Sequence, residues 1–276
     1  MADREFVLSV EEVAFAMSAA GSEDVAGGFL LALLGEREQA EVDGRLYAAA
    51  HSLMARGLLQ VNMQTGEKHL EPSLAEIVGG MARNNLSLRC SRTTQAGEDV
   101  STFFIASPGI IQHTLRDEVV SRLILLPDLA ALSERCAIFF DLQANGDSES
   151  MESEGILSAA LLDEITGAGD DVRLETVMAM LEAAGFPAVT AGLLATDLLT
   201  AKYRGSVLRI AQTDGRANVE QGILLLKGAE RLWLMVLLAD DPGSLSVMRG
   251  NAPRFVSLLA TLLRQDEKQT GETQDA

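Results

Sequence analysis

What this sequence lacks narrows its chemistry first. It has no basic run: 22 Lys and Arg stand against 40 Asp and Glu, for a formal net charge of −18. The acidity is shared, with 20 acids against 11 bases on each side of the Leu142–Gln143 bond. Such a chain repels phosphate backbones and anionic membrane surfaces, so neither nucleic acid nor membrane is expected as a partner. Aromatic residues make up only 4%, so the core has to be built from Leu, Val, Ile and Ala. There are two cysteines, Cys90 and Cys136, each inside an apolar run. That is the pattern of buried, reduced thiols in a cytosolic protein. No apolar run approaches the ~20 residues of a membrane-spanning helix. Met1-Ala-Asp-Arg-Glu-Phe6 lacks the apolar centre of a signal peptide. The expectation is a soluble, cytoplasmic protein.

Catalytic and ligand spacings are missing as well. His51, His69 and His113 lie far apart, without the His or Cys spacing of a zinc site. Cys90 and His113 fall on neighbouring expected strands, the one conceivable nucleophile pair, but both read better as packing residues. Gly167-Ala-Gly-Asp-Asp171 precedes a helix, yet a helix also precedes it and two acids follow. It therefore reads as a C-cap followed by an N-cap rather than a phosphate cradle. Glu11-Glu12 and Asp240-Asp241 are adjacent in sequence and point apart, which makes poor acid–base dyads. Asp240-Asp-Pro-Gly243 is turn chemistry. No enzyme, no metal and no cofactor is expected.

What is present is a strongly patterned α+β chain. Ser9 and Glu12 form a capping box for a helix whose apolar stripe is Val10, Val13, Ala14 and Met17, stopped by Gly21. A second helix spans Val25–Leu34, with Ala26-Gly-Gly-Phe29 inside it as a place for close helix packing. A third runs over Glu38–Arg56, with Gly57 as its C′ residue. A hairpin over Leu58–Leu70 and a helix over Pro72–Arg83 follow. Strands are expected at Leu86–Thr93, Val100–Ser107, Gly109–Arg116 and Val119–Leu126, then a closing helix over Asp128–Leu142.

Residues 143–155 are polar and acidic and read as a linker. Helices at Ala159–Thr166, Val172–Ala184 and Pro187–Tyr203 follow. Strands are then expected at Ser206–Thr213, Val219–Leu226, Arg231–Leu238 and Ser244–Met248, before a helix capped by Asn251. Residues 265–276 read as a disordered tail. Met17, Met54, Met81, Met178, Met180, Met235 and Met248 fall on apolar faces, as core filling or as an adaptable client groove.

The second half echoes the first. At an offset of 120, Leu88-Arg89 meets Leu208-Arg209, Cys90 meets Ile210, Phe103-Phe104-Ile105 meets Ile223-Leu224-Leu225, and His113 meets Trp233. At an offset of 149, Val7-Leu8-Ser9 meets Ile156-Leu157-Ser158. The 29-residue difference between the offsets falls in 58–83 as an extra, winged-helix-like piece of the first half. The chain is thus expected to be an internal duplication with two pseudo-symmetric halves, 1–142 and 156–264. Each half would be an antiparallel four-stranded meander with a helical bundle.

This layout resembles the EspG-like proteins linked to type VII (ESX) secretion. The resemblance is carried by Leu53-Met-Ala-Arg-Gly-Leu-Leu59 ahead of Leu70-Glu-Pro-Ser-Leu-Ala-Glu76, and by Trp233-Leu-Met-Val236 before the apolar helix Phe255–Leu263. It extends from Phe6 to Leu263. It implies a cytosolic chaperone of two pseudo-symmetric halves that holds the tip of a helical secretion substrate and masks it from self-association. The expected partner is a protein client, an amphipathic helix being the natural form, and a homodimer is possible. Which residues bind that client is unknown from sequence. Two other readings compete. One is a winged-helix regulator over Glu38–Leu70, with Arg45 and Arg56 on the recognition helix against Asp43, and Lys68 on the wing. The other is a structural protein that self-associates through a sheet edge.

Overall fold

The computed structural model describes residues 4–106, 109–117, 119–142, 153–167, 173–213, 216–238 and 240–264. The elements run β1 (Arg4–Ser9), α1 (Val10–Ala19), α2 (Glu23–Leu34), α3 (Gln39–Ala55), β2 (Leu59–Val61), β3 (Lys68–Leu70) and α4 (Pro72–Ala82). They continue with β4 (Leu86–Thr94), β5 (Gly97–Ile105), β6 (Ile110–Arg116), β7 (Val120–Leu126) and α5 (Leu129–Phe139). The rest comprises β8 (Gly155–Ser158), α6 (Ala159–Gly167), α7 (Leu174–Ala183), α8 (Ala188–Leu199), β9 (Tyr203–Thr213), β10 (Arg216–Lys227), β11 (Leu232–Leu238), β12 (Asp241–Gly250) and α9 (Ala252–Arg264). The class is α+β, as the patterning implies. The chain divides into two compact units.

Unit 1 holds Met1–Leu88, Ser101–Leu132 and Ala211–Arg216. Its strand order is β1-β7-β6-β5-β4. β1 is antiparallel to β7, with Val7 opposite Arg122, and an ion pair from Glu5 to Arg122 Nε at 2.6 Å reinforces that register. The capping box forms as its residues demand: Ser9 Oγ accepts from the Glu12 N–H at 3.1 Å, and Glu12 Oε2 from the Ser9 N–H at 2.8 Å. The helices bury Val13, Met17, Leu53, Leu74 and Ile77 against Leu8, Ile111 and Leu123 of the sheet. α4 approaches β6 closely at Gly80, where a Cβ would lie 2.6 Å from Ile111 Cδ1 and displace that side chain.

Unit 2 holds Arg89–Val100, Ser133–Ile210 and Ala217–Ala276. Its strand order is β8-β12-β11-β10-β9. Leu157, Val177, Leu181, Leu194, Trp233 and Val247 form its core. Asn251 caps α9 as expected, its Oδ1 accepting from the Arg254 N–H at 2.8 Å.

The element order of strand, three helices, four strands and a helix occurs twice, interrupted only by β2, β3 and α4 in the first passage. The echo at Val7-Leu8-Ser9 extends to burial. Leu8 and Leu157 are both buried, Val7 and Ile156 are about half exposed, and Ser158 caps α6 as Ser9 caps α1. The pairing of Leu88-Arg89 with Leu208-Arg209 is out of phase: Leu88 is buried and Arg89 exposed, whereas Arg209 is buried and Leu208 is not. A one-residue slip in a strand exchanges its faces, so Cys90 and Ile210 are not equivalent core positions.

Four further points depart from expectation. Phe6–Ser9 and Ile156–Ser158, which the sequence pattern assigned to no strand, are strands completed by pairing with β7 and β12. The helix expected to reach Tyr203 ends at Leu199, because Tyr203 turns into β9 and donates its hydroxyl to the Phe140 carbonyl. Gly155 opens β8 instead of ending a linker; a Cβ there would lie 2.5 Å from the Phe186 ring. Finally, no helix packs closely on Gly27 or Gly28, since a Cβ at either would meet nothing within 4 Å. The expected linker over 143–152, the disordered tail over 265–276, and the caps at 168–171 lie outside the described residues.

Candidate partner-binding groove

Helix α2 is unusual in having no charged residue from Val25 to Leu34. Two acids in its first turn, Glu23 and Asp24, suit the positive end of the helix dipole. Gly35, at φ +69°, ends it. Only Ala26 is fully buried; Phe29 and Leu30 pack partly on the unit 1 core, and the Phe29 ring centroid lies 5.9 Å from that of His113. The remaining face carries Gly27 and Leu31, the latter 56% exposed. Val42 and Leu46 of α3 line the same cavity as Leu30, Leu31 and Leu34 of α2. This groove, of about 400 Å³, is also lined by Gly27. Farther along α3, Tyr47 is 68% exposed and Met54 is also exposed.

Two carboxylates and two guanidiniums, Glu11, Glu36, Arg37 and Arg45, also line the groove. Arg45 Nη1 reaches Glu11 Oε1 of α1 at 2.9 Å, and Nη2 reaches Glu41 one turn back on α3 at 2.9 Å. Burial alone would raise the Glu11 carboxyl. A backbone hydrogen bond and Arg45 together outweigh it and hold that carboxyl below the ordinary range. Arg45 is correspondingly held above its ordinary value by hydrogen bonds to Glu11 and Glu41. Arg37 Nε donates to the Leu34 carbonyl at 3.1 Å, satisfying an acceptor that α2 leaves open at its end.

The residues proposed for DNA contact are engaged elsewhere. Arg56 donates to both Glu12 oxygens at 3.1 Å, and its other terminal nitrogen to the Val7 carbonyl at 2.9 Å. Arg45 carries two carboxylates, and Lys68 lies 5.2 Å over the Phe15 ring. A recognition helix whose two guanidiniums are neutralised by its own unit presents no charge to phosphates.

The three histidines stay apart. His51 meets Tyr47 edge to face, with centroids 4.2 Å apart, and His69 lies 3.9 Å from Glu67. His113 Nε2 is 3.0 Å from Ser121 Oγ, and burial pushes its pKa down to about 4. Cys90 and Cys136, distant in sequence, come together with Sγ atoms 3.8 Å apart, both buried. Burial, then the neighbouring thiol, push the Cys90 thiol well up, which keeps it protonated. Met17, Met81, Met235 and Met248 are buried, and Met54 alone among the named methionines is exposed. Among the described residues, no group of three or more His, Cys, Asp or Glu side chains is placed to hold a metal ion. Nor is any helix among them long and apolar enough to cross a membrane.

Two features escaped the sequence reading. The first is the groove, whose only trace was the charge-free, glycine-containing run of α2. The second is a buried cluster in unit 2, where Asp197 of α8 accepts from Arg231 at 2.7 and 3.2 Å and from the Trp233 indole N–H at 2.9 Å.

No protein-family model matches the sequence, and no curated protein matches it. Among solved structures, the chain is similar in fold to EspG5, a type VII secretion system chaperone of Mycobacterium tuberculosis solved in complex with a PE25-PPE41 dimer. The match covers 94% of this chain and 96% of that one, with a TM-score of 0.62 and 12% sequence identity. The EspG-like layout expected from the sequence is therefore the fold observed.

Proposed function

We propose that this chain is a non-catalytic, cytoplasmic protein-binding protein of the chaperone kind, which holds a helical protein client and masks it from self-association. The observation that carries the reading is the fold itself, shared over nearly the whole chain with a chaperone solved in complex with a protein dimer. The open apolar groove of unit 1 supports it, because exposed apolar surface of this kind marks interaction sites. The chain's acidity, with no cationic patch on α3, argues against nucleic acid. The repeated order of elements is read as the trace of an internal duplication, and the 58–83 insertion as what makes the two halves unequal.

The test is affinity purification of the full chain from its native host, followed by sedimentation of what is recovered. The reading predicts a stoichiometric complex with one defined, helix-rich protein, which aggregates when produced alone. A monodisperse, unaccompanied chain across growth conditions would count against it.

A further inference from the structure

Unit 2 brings the chain's two cysteines together. Cys90 lies in the middle of β4 and Cys136 in α5, 46 residues apart in sequence, and their Sγ atoms are 3.8 Å apart. Both are completely buried. The contact is not an isolated approach of two side chains. Two residues on along β4, Arg92 lies 5.5 Å over the ring of Phe139, three residues on along α5. The two contacts together fix how the helix lies on the strand. Phe140, next in the chain, is also fully buried. Its ring centroid is 5.7 Å from that of Phe255, and its carbonyl accepts from the Tyr203 hydroxyl. The end of α5 is therefore held from several sides, with the two sulfurs in contact.

A disulfide needs its sulfurs about 2.05 Å apart. The pair thus has under about 2 Å to close, a movement on the scale of side-chain rotation. Access runs the other way. Thiol–disulfide exchange is carried by the thiolate, and the attacking sulfur must be reached. In the folded chain solvent reaches neither sulfur, and burial, then the neighbouring thiol, keep Cys90 protonated. The pair is placed to bond, yet shielded from an oxidant once the unit has closed.

We propose that Cys90 and Cys136 form a redox-sensitive clamp between β4 and α5, whose state is set while the chain folds and is then sealed in by burial. The oxidant is a small disulfide of the glutathione kind. One cysteine thiolate attacks it, forming a mixed disulfide and releasing one glutathione thiolate. The other cysteine loses its proton and attacks the protein sulfur of that mixed disulfide. The Cys90–Cys136 bond forms and the second glutathione leaves as a thiolate. Two protein thiols are oxidised, one small disulfide is reduced to two thiols, and the two protons end on the released glutathiones. With two cysteines in the chain, no rival intramolecular pairing exists. The bond ties together residues 46 apart and so constrains the unfolded chain, which makes the oxidised protein the more stable form.

The experiment dilutes the reduced, urea-unfolded full chain into buffer containing reduced and oxidised glutathione. Acid-quenched samples are read by intact mass and by non-reducing peptide mapping. The expected product is a monomer lighter by two hydrogens, carrying no glutathione, with the Cys90 and Cys136 peptides linked. Its urea midpoint should lie above that of the dithiol form by about 1 M or more. The same buffer should oxidise the already folded dithiol protein at least tenfold more slowly. Cys90→Ala and Cys136→Ala should each abolish the dependence of the urea midpoint on the redox buffer. The other criteria are read on the parent chain, so a variant that does not fold leaves the test intact.

Refolded chains that keep two free thiols, or a bound glutathione, would contradict the clamp. So would a disulfide form with a lower urea midpoint than the dithiol form, because the bond would then strain the fold. Oxidation of the folded protein as fast as that of the refolding chain would overturn the sealing by burial.

Discussion

Arg56 donates to both oxygens of Glu12 at 3.1 Å, joining the end of α3 to the first turn of α1. Glu12 is buried and also accepts from Ser52 Oγ at 2.7 Å and from the Ser9 N–H at 2.8 Å. One carboxylate therefore completes a helix cap, satisfies a hydroxyl and neutralises a guanidinium. Glu12→Ala removes the acceptor for all of these at once. It should cost about 2–4 kcal/mol, seen as a lower urea midpoint with an unchanged slope. Because the same pair occupies Arg56, the parent chain should give no salt-dependent shift of random duplex DNA in a gel.

Unit 2 has a comparable constraint at Gly228, where a Cβ would lie 1.9 Å from Asp197 Oδ1. Gly228→Ala must push Asp197 away from Arg231 and Trp233. A loss of about 3 kcal/mol is expected, the cost of breaking a buried ion pair, measured by urea denaturation. Tryptophan fluorescence should shift in the native baseline, since Trp233 is the single tryptophan.

The pH response of unit 1 follows from His113, held to about 4 by burial against an ordinary 6.5. Between those values the unfolded chain takes up a proton that the folded chain refuses. Stability therefore falls as pH drops from about 6.5 to about 4, and the loss is complete below that. Its full size is roughly 3 kcal/mol. The urea midpoint of His113→Gln should fall less between pH 7 and pH 4.5 than that of the parent chain.

Cys90 and Cys136 are both buried, and the Cys90 thiol is pushed well up. Neither should react with an aromatic disulfide reagent in the native protein at pH 8. Both should react, giving two equivalents, once urea unfolds it. Rapid native labelling would contradict the burial.

Gly28→Ala should stabilise α2 by about 0.5–1 kcal/mol, since the methyl meets open space and glycine is a poor helix former. A higher melting temperature is the readout. A lower one would mean that something packs there.

The parts legible in sequence are those decided locally. The Ser9–Glu12 box and the Asn251 cap each depend on a few adjacent residues, and each appears as expected. β1 and β8 were not legible as strands because they are short and gain their identity from β7 and β12. Tyr203 was misplaced because its environment is supplied by Phe140, far away in sequence. The groove was hidden for a different reason. Leu31 and Gly27 look like core residues until the fold fails to cover them, and no local pattern records what tertiary packing leaves open. The Cys90–Cys136 and Asp197–Trp233 contacts likewise exist only once the chain has closed.

The most direct measurement is amide hydrogen exchange on the full chain, alone and in complex with its purified protein partner. Client binding in the groove predicts that added protection is concentrated in Glu23–Ala55, strongest around Gly27–Leu34. Unchanged exchange across α2 and α3, with protection gained elsewhere, would contradict it.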